Sequence, residues 1–211
     1  VYKRQPLDLN IQVNIEQPEY KGIWEYFVSR SIESNNYILD ERVLYYMNIH
    51  LKDISKFTEY LNDSFYFFYF AIDELEKNDL PIELALVPYI ESNYDPFSIS
   101  PSGAVGMWQF MPRTGRFYDL DRTWWNEDRH DPFASTIAAV KYLEYLYKRF
   151  DKDIYLTLAA YNAGPSLLDR KIRQNKRKGS PTDFRSLDLP DQTKDYIPKY
   201  IACLLYTSDA A

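Results

Sequence analysis

The sequence predicts a mainly α-helical protein. Apolar side chains recur at intervals of three and four residues through most of the 211-residue chain, which is the spacing of a helix face. Asp, Pro and Gly residues stand where these segments begin or end. Residues 98–106 are too rich in Ser, Pro and Gly for a helix, so we expect at most a short β-hairpin there.

The N-terminal third is predicted to contain several amphipathic helices. Residues 6–18 hold two prolines and weak periodicity, which indicates an irregular segment, whereas the spacing around Phe27 predicts a first helix. Asp40 is expected to cap a second helix, and the helical pattern continues over residues 53–61 and 63–78. The predicted apolar face of the second helix comprises Val43, Leu44, Met47 and Leu51.

Residues 65–70 form a dense aromatic run within the last of these segments. An aromatic stripe can bind a partner, but at helical spacing it more commonly packs in a protein core. We predict a core position for this run.

A second group of helices is predicted from Pro81, which suits the first turn of a helix that ends near Glu91. Pro88 lies inside that helix and is expected to kink it. A short helix over residues 112–117 precedes a loop over residues 122–132. Four further helices are predicted over residues 134–150, 154–161, 165–175 and 191–204.

Glu91 is the most informative residue of the chain. Val87 and Pro88 precede it at helical spacing, so its side chain projects from the apolar face of its helix. Desolvation on that face and the negative end of the helix dipole both raise the pKa of a carboxyl group. Such a carboxyl can donate a proton near neutral pH, so Glu91 is a candidate general acid. The alternative is a structural acid that bonds to a neighbouring amide.

The segment after Glu91 offers no second acid. No Asp or Glu occurs from residue 96 to residue 118, although the chain contains 31 acidic residues. This segment contains three Ser, three Gly and two Met residues, with one Gln and one Trp, instead. Glycine lets the backbone approach a ligand, hydroxyl and amide groups bond to sugars, and Trp and Met offer apolar faces. We therefore predict a carbohydrate cleft that contains one acid.

Composition excludes several classes of function. The net charge of -6 argues against nonspecific binding of nucleic acid. Cys203 is the single cysteine, and together with His50 and His130 it forms no metal-binding spacing. No apolar run reaches the length of a membrane span. We expect one main domain with no nucleic acid, no metal and no cofactor.

An ordered set of residues resembles a known family. The set comprises Glu91-Ser92, Asn93-Tyr94-Asp95-Pro96, Ser100, Gly103-Ala104-Val105-Gly106, Gln109, Met111-Pro112 and Ala160-Tyr161-Asn162-Ala163-Gly164. It resembles the catalytic domain of the soluble-lytic-transglycosylase (SLT) type, and within that type the D group of membrane-bound lytic murein transglycosylases. The resemblance covers about residues 81–203, and more loosely the helical stretch from residue 45.

The resemblance implies a lysozyme-like helical fold and a lyase that acts on the glycan strands of peptidoglycan. Such enzymes cleave the β-1,4 bond between N-acetylmuramic acid and N-acetylglucosamine and leave a 1,6-anhydromuramic end. Glu91 is then the catalytic residue. The substrate-binding residues that the resemblance implies are Ser92, Ser100, Gly106, Gln109, Met111, Tyr161, Asn162 and Tyr196.

The resemblance also gives several of these residues a place. Ser100 is expected to contact the catalytic carboxylate, Tyr161 to lie across the cleft from it, and Tyr196 to form a hydrogen bond near it. Ordinary helix packing is the alternative for Gln109 and Met111. Gly164 is expected to end its helix in the left-handed conformation. The residues Pro165-Ser166 depart from the glycine-rich continuation of the family.

In this family one carboxyl group serves as both acid and base. Glu91 would protonate the glycosidic oxygen and then accept the proton of the C6 hydroxyl, while the substrate supplies the nucleophiles. A hydrolytic muramidase similar to goose-type lysozyme is one alternative, and it would need a second carboxylate. The candidates for that carboxylate are Asp119, Asp121 and Asp128. A non-catalytic peptidoglycan-binding domain is the other alternative.

We divide the chain into an N-terminal helical extension, residues 6–79, and a lysozyme-like catalytic domain, residues 80–204. Residues 1–5 and 205–211 resemble translated adapter ends and are predicted to be non-native, so the natural protein is expected to continue at both ends. By resemblance the enzyme is a monomer of the periplasm or cell envelope. It would meet the outer membrane only through a lipid anchor outside this sequence.

Two features of the sequence have alternative interpretations. Residues 170–178 carry six basic side chains in an acidic protein. They can contact stem-peptide carboxylates, although such a run is usually a solvated helix face. Trp124 and Trp125 are either sugar platforms or anchors of their loop.

Overall fold

The structure is a computed structural model that describes residues 22–31, 40–51, 60 and 63–210. The predicted irregular segment over residues 6–18 lies outside the described residues, as do residues 1–5 and nearly all of the predicted helix over residues 53–61.

The described part of the chain is mainly α-helical, which confirms the predicted fold class. Within the described residues, three short 3-10 helices, Ile82–Leu86, Asp128–His130 and Phe184–Ser186, lie between the α-helices. The α-helices are, in chain order, α1 (Ile23–Ser31), α2 (Glu41–Leu51), α3 (Phe65–Lys77), α4 (Val87–Ser92), α5 (Pro112–Phe117), α6 (Pro132–Arg149), α7 (Ile154–Ala163), α8 (Pro165–Lys178) and α9 (Asp191–Ala210).

β-structure in the described residues is limited to isolated antiparallel bridges. Val105 pairs with both Ile99 and Phe110, and Arg122 pairs with Glu127. The first two bridges fold residues 98–110 into a compact loop, in agreement with the expected short hairpin. We call residues 98–110 the cleft loop.

Aspartate side chains fix the starts of three helices. Asp40 Oδ1 accepts hydrogen bonds from the backbone N–H groups of Arg42 and Val43, both at 3.0 Å, so the predicted cap of α2 is confirmed. Asp131 and Asp153 cap α6 and α7 in the same way. Helix α6 begins at Pro132, two residues earlier than predicted. The N–H group of the first helical residue has no partner within the helix, so a proline, which lacks this group, is tolerated there.

The predicted helix before Glu91 differs from the observed structure. A 3-10 helix, Ile82–Leu86, precedes α4, and Pro88 lies in the first turn of α4. Proline lacks the N–H group that would bond to the preceding turn, so the chain changes helix type where a kink was expected. On α2, Val43 is buried but Leu44 is 48% exposed, so the predicted apolar face is wrong at Leu44.

One hydrophobic core joins the N-terminal helices to the rest of the described chain. It contains Phe27 of α1 and Val43 of α2 together with residues of α3, α4, α6 and α9. Helix α9 packs against both α2 and α7, and α3 packs against α6. This core contains residues from both sides of the division at residue 80. The division into two domains stays a prediction.

The aromatic run on α3 divides between core and surface. Phe68 is fully buried, which agrees with the predicted core position. Phe67 and Phe70 meet Phe133 of α6 edge to face, at centroid distances of 6.0 and 5.0 Å. Tyr66 is 78% exposed, so the prediction is wrong for this residue. A helix has room for only one face in the core, and a run of six aromatic residues covers every face.

Among the described residues, no helix combines the length and the apolar character that a bilayer crossing requires.

Candidate active site

Glu91 lies in the last turn of α4, as predicted. The helix ends because Asn93 adopts the left-handed conformation, with φ 54° and ψ 36°, which asparagine tolerates better than most residues. Val87, Pro88 and Tyr89 are buried and anchor the first turns. The side chain of Glu91 therefore leaves a fixed backbone.

The carboxyl group of Glu91 is largely withdrawn from water. Burial raises its pKa to about 7, against a hydrogen bond from Tyr196 and the positive charge of Lys199, which both lower it. The Tyr196 hydroxyl donates to Oε1 of Glu91 at 2.7 Å. At neutral pH both the protonated and the ionised form of the carboxyl group are therefore populated, so it can either donate or accept a proton.

Two neutral tyrosines flank this carboxyl group. Burial, with the negative charge of Glu91 as the next cause, raises the pKa values of Tyr161 and Tyr196 well above the usual value. Both hydroxyl groups therefore stay protonated and act as hydrogen-bond donors. Tyr161 donates to the backbone oxygen of Trp108 at 2.7 Å. The structure thus brings together three predicted site residues, Glu91, Tyr161 and Tyr196.

The cleft loop is tied to the helices that surround Glu91. Ser92 donates from Oγ to the backbone oxygen of Met107 at 2.9 Å, and the Trp108 indole donates to Oγ1 of Thr136 on α6 at 2.9 Å. Met107 and Trp108 are fully buried. The expectation that these two side chains offer apolar faces to a sugar is therefore wrong, because their faces pack in the core.

Gln109 and Met111 keep groups that a ligand can reach. Gln109 has a φ of 50°, and its Nε2 donates to the backbone oxygens of Gly106 at 2.7 Å and Ser98 at 3.3 Å. Within the described chain its Oε1 accepts no hydrogen bond, which leaves an acceptor for a ligand. Met111 precedes α5 and is 43% exposed, so it is not a core residue.

Gly106 lies where no side chain fits. Its φ is 81°, and a Cβ atom would lie 1.8 Å from the backbone oxygen of Arg129. Its role in this structure is to let two backbone segments meet. A direct contact with substrate stays a prediction.

Arg129 is a structural residue of the site that the sequence did not reveal. Its buried guanidinium donates from Nη1 to the backbone oxygens of Phe110 at 2.8 Å and Gly103 at 3.1 Å. Glu127 accepts from Nε and Nη2 at 2.7 and 2.9 Å. One arginine inside a charged loop carries no sequence signal for burial. The Arg129 guanidinium thus binds Gly103 and Phe110, which lie at the two ends of the turn that contains Gly106.

The hydrogen bonds of the Ser100 and Asn162 side chains go to groups other than Glu91. The Ser100 hydroxyl bonds to Oγ of Ser102 at 2.9 Å and accepts from the N–H of Ala104 at 2.9 Å. In the described structure it forms no hydrogen bond with Glu91. Asn162 Oδ1 accepts from Thr193 at 2.9 Å, which connects α7 to α9.

The chain turns from α7 into α8 at Gly164. Its φ is 85° and its ψ is 140°, which is not the left-handed helical region. The predicted left-handed cap is therefore wrong, although the positive φ explains why glycine occupies this position.

Tyr196 and Lys199 are the groups that shift the pKa of Glu91 besides burial. In the described residues, no second carboxyl group is among the causes of this pKa shift. The three acids that a hydrolytic site would use, Asp119, Asp121 and Asp128, are all absent from this set. Within the same residues, no group of three His, Cys, Asp or Glu side chains is arranged to hold a metal ion.

Comparison with known proteins gives one family. The sequence model of the family described as "Transglycosylase SLT domain" matches residues 68–184, which are more than half of the chain. Membrane-bound lytic murein transglycosylase D of Escherichia coli K12 is 43% identical over 136 residues, which cover 64% of this chain and 30% of that protein.

A putative tributyltin chloride resistance protein of Alteromonas sp. strain M-1 is 40% identical over 119 residues, covering 56% of this chain and 58% of that protein. The crystal structure of the 70 kDa soluble lytic transglycosylase of Escherichia coli matches the fold with a TM-score of 0.55 and 23% identity. That match covers 67% of this chain and 24% of the larger one. The chain thus spans less than a third of the E. coli murein transglycosylase.

The contact at Gly106 predicts a large effect of one methyl group. Gly106→Ala is expected to lower the free energy of unfolding by about 2–4 kcal/mol, because the positive φ and the clash with Arg129 both cost energy. Gly103→Ala is the matched control, since its φ is 85° but its Cβ would meet open space. It should cost only about 1 kcal/mol. Urea unfolding measures both, and equal losses would contradict the close approach.

The raised pKa of Glu91 predicts that replacing this residue stabilises the fold, by an amount that depends on pH. The folded protein holds the proton more tightly than the unfolded chain, so this group's stabilising contribution is complete below about pH 4.5 and is lost as pH rises through about 7. Glu91→Gln should therefore match the wild type at pH 4 and exceed it by about 3 kcal/mol at pH 8.

Urea unfolding at several pH values measures this difference. Glu127→Gln is a control of opposite sign, because Arg129 lowers the pKa of Glu127 and the charged form stabilises the fold. That variant should lose stability above about pH 4.5. A stability difference between Glu91→Gln and wild type that is constant with pH would disprove the raised pKa.

Proposed function

Because the chain belongs to the transglycosylase SLT domain family, we propose that it is a lytic transglycosylase that cleaves the glycan strands of peptidoglycan. The observation that supports this proposal most strongly is the single buried carboxyl group of Glu91, with a pKa of about 7 and a hydrogen bond from Tyr196. Such a group suits a reaction in which one residue is first acid and then base.

The first step breaks the glycosidic bond. Protonated Glu91 gives its proton to the oxygen between N-acetylmuramic acid and N-acetylglucosamine, and the C1–O bond of the muramic residue breaks. The carbonyl oxygen of the muramic N-acetyl group attacks C1 and forms a cyclic oxazolinium ion, as in other substrate-assisted glycosidases. The Tyr196 hydroxyl then stabilises the newly formed carboxylate by its hydrogen bond at 2.7 Å.

The second step closes the anhydro ring. The Glu91 carboxylate accepts the proton of the C6 hydroxyl, the C6 oxygen bonds to C1, and the bond from the N-acetyl oxygen to C1 breaks. Glu91 is protonated again and no water is consumed. A hydrolytic site would need a second group to activate water, and among the described residues no other carboxyl group shifts the pKa of Glu91.

The remaining predicted residues receive roles that fit their contacts. We propose that Gln109, through its unused Oε1, and the exposed Met111 contact the glycan. Ser92, Ser100 and Gly106 act by shaping the cleft loop, since their groups bond or pack within it. Tyr161 and Asn162 line the opposite side on α7.

The cell envelope is the proposed location, because the D-group relative from Escherichia coli is named as membrane-bound and as acting on murein. The lipid anchor and the monomeric state stay predictions.

The products of digestion test the proposed reaction. Purified peptidoglycan digested in ¹⁸O-labelled water should yield 1,6-anhydromuramic ends that contain no label, because the C6 hydroxyl takes the place of water. Mass spectrometry of the soluble fragments measures this. Reducing muramic ends that carry ¹⁸O as the primary product would establish a hydrolase instead.

The role of Glu91 is tested by substitution. Glu91→Gln keeps the shape of the side chain but cannot transfer the proton, so turnover should fall by about a hundredfold or more. Glu74→Gln, on α3 and bonded to Lys77, is the control and should keep wild-type turnover. Turnover of Glu91→Gln within about threefold of wild type would rule out Glu91 as the acid.

A further inference from the structure

Helix α8 concentrates positive charge in an acidic protein. It contains six basic residues and one acidic residue, a net charge of +5, whereas the whole chain has a net charge of -6. The rest of the chain therefore carries -11. Helix α8 thus holds six of the 25 Lys and Arg residues of the chain and has a charge opposite in sign to the rest of it.

Four of these basic residues form an exposed stripe along α8, which we call the basic stripe: Arg170, Arg173, Lys176 and Arg177. Their spacing places them on neighbouring positions of one side of the helix. The opposite side contains Leu168, which is fully buried, and Ile172, which packs against the same core cluster. The basic stripe therefore points away from the protein.

The charge of the basic stripe is not neutralised within the described protein. Lys171 pairs with Asp188 at 2.7 Å, and Asp169 pairs with Arg149 of α6. Across the described ranges, no residue of the basic stripe has an ion pair or a side-chain hydrogen bond. Other exposed lysines, such as Lys77 and Lys148, do contact carboxylates. The basic stripe thus gathers four exposed and unpaired cations on one helix.

Along the chain, α8 directly follows the helix that carries Tyr161 and Asn162. Helix α7 ends at Ala163, and Gly164 turns the chain directly into α8. With a rise of about 1.5 Å per residue, the basic stripe extends over about 10 Å of α8, from Arg170 to Arg177.

We propose that the basic stripe binds the carboxylates of the stem peptides on the glycan strand that occupies the cleft. This inference rests on the proposed function. The peptides of peptidoglycan carry free carboxylates and recur along the strand. A row of exposed cations can attract several of them at once, with the distance tolerance of long side chains.

The position of the apolar residues of α8 favours this partner over an anionic membrane. Helices that lie on a bilayer present an apolar face to the acyl chains and cations at its edges. In α8 the apolar face is already used, because Leu168 and Ile172 pack against the protein. The exposed side has charge without apolar surface, which suits a hydrated polyanion.

The test compares two variants that lose the same charge. Arg170→Gln, Arg173→Gln, Lys176→Gln and Arg177→Gln are combined in one variant. Lys77→Gln, Lys141→Gln, Lys148→Gln and Lys152→Gln, all exposed and none of them on α8, form the control. Glutamine is a good helix former and the stripe is solvent-exposed, so both variants should fold. KM and kcat are measured on soluble glycan strands with their peptides and on strands from which an amidase has removed the peptides.

On peptide-bearing strands at low salt, the stripe variant should have a KM about tenfold higher than the wild type and a similar kcat. On peptide-free strands its KM should equal that of the wild type. The wild-type KM on peptide-bearing strands should rise with salt, and that of the variant should not. The control variant should resemble the wild type throughout.

An unchanged KM on peptide-bearing strands, or an equal increase on both substrates, would overturn the proposal. So would stripe-dependent binding to phosphatidylglycerol vesicles with no effect on murein, which would assign the stripe to a membrane. Cleavage of peptide-free strands by the wild type tests the proposed function by itself, so the two failures are distinguishable.

Discussion

Burial of the Glu91 carboxyl group, limited by one hydrogen bond, is the constraint on which the rest of the site depends. A fully solvated glutamate would be almost completely ionised at neutral pH and would donate no proton. A fully buried glutamate with no partner would hold its proton too tightly to act as a base. The structure lies between these limits, because burial raises the pKa while Tyr196 and Lys199 lower it, to about 7.

The balance requires that the cleft loop keep one conformation. Residues 98–110 have little regular structure of their own, so neighbouring elements fix the loop. Ser92 and Tyr161 hold it through backbone oxygens, and the Arg129 guanidinium joins Gly103 to Phe110. These donors act on carbonyl groups rather than on side chains. The loop can therefore present Gln109 and Met111 to a ligand while Trp108 seals the core beneath it.

The sequence predicted the features that depend on local pattern and missed those that depend on distant contacts. Helix starts at Asp40 and Pro112 follow from capping and proline geometry, which act within one turn. The place of Glu91 follows from helical spacing. The burial of Trp108 and Arg129 does not, because it results from packing against α6 and from carbonyl groups about twenty residues away. Likewise, Ser100 was expected to meet Glu91, but its nearest donors and acceptors lie within its own turn.

The donor that limits the pKa of Glu91 comes from an element outside the segment that the family model matches. That segment ends at residue 184, whereas Tyr196 and Lys199 lie on α9. Helix α9 is positioned partly by α2, where the Tyr46 ring lies 5.2 Å from the ammonium group of Lys199 and Arg42 pairs with Asp195 at 3.4 Å. The N-terminal helices therefore contact the same helix that sets the charge of Glu91. The predicted boundary at residue 80 separates α2 from α9 along the sequence, but the pKa of Glu91 depends on contacts between these two helices.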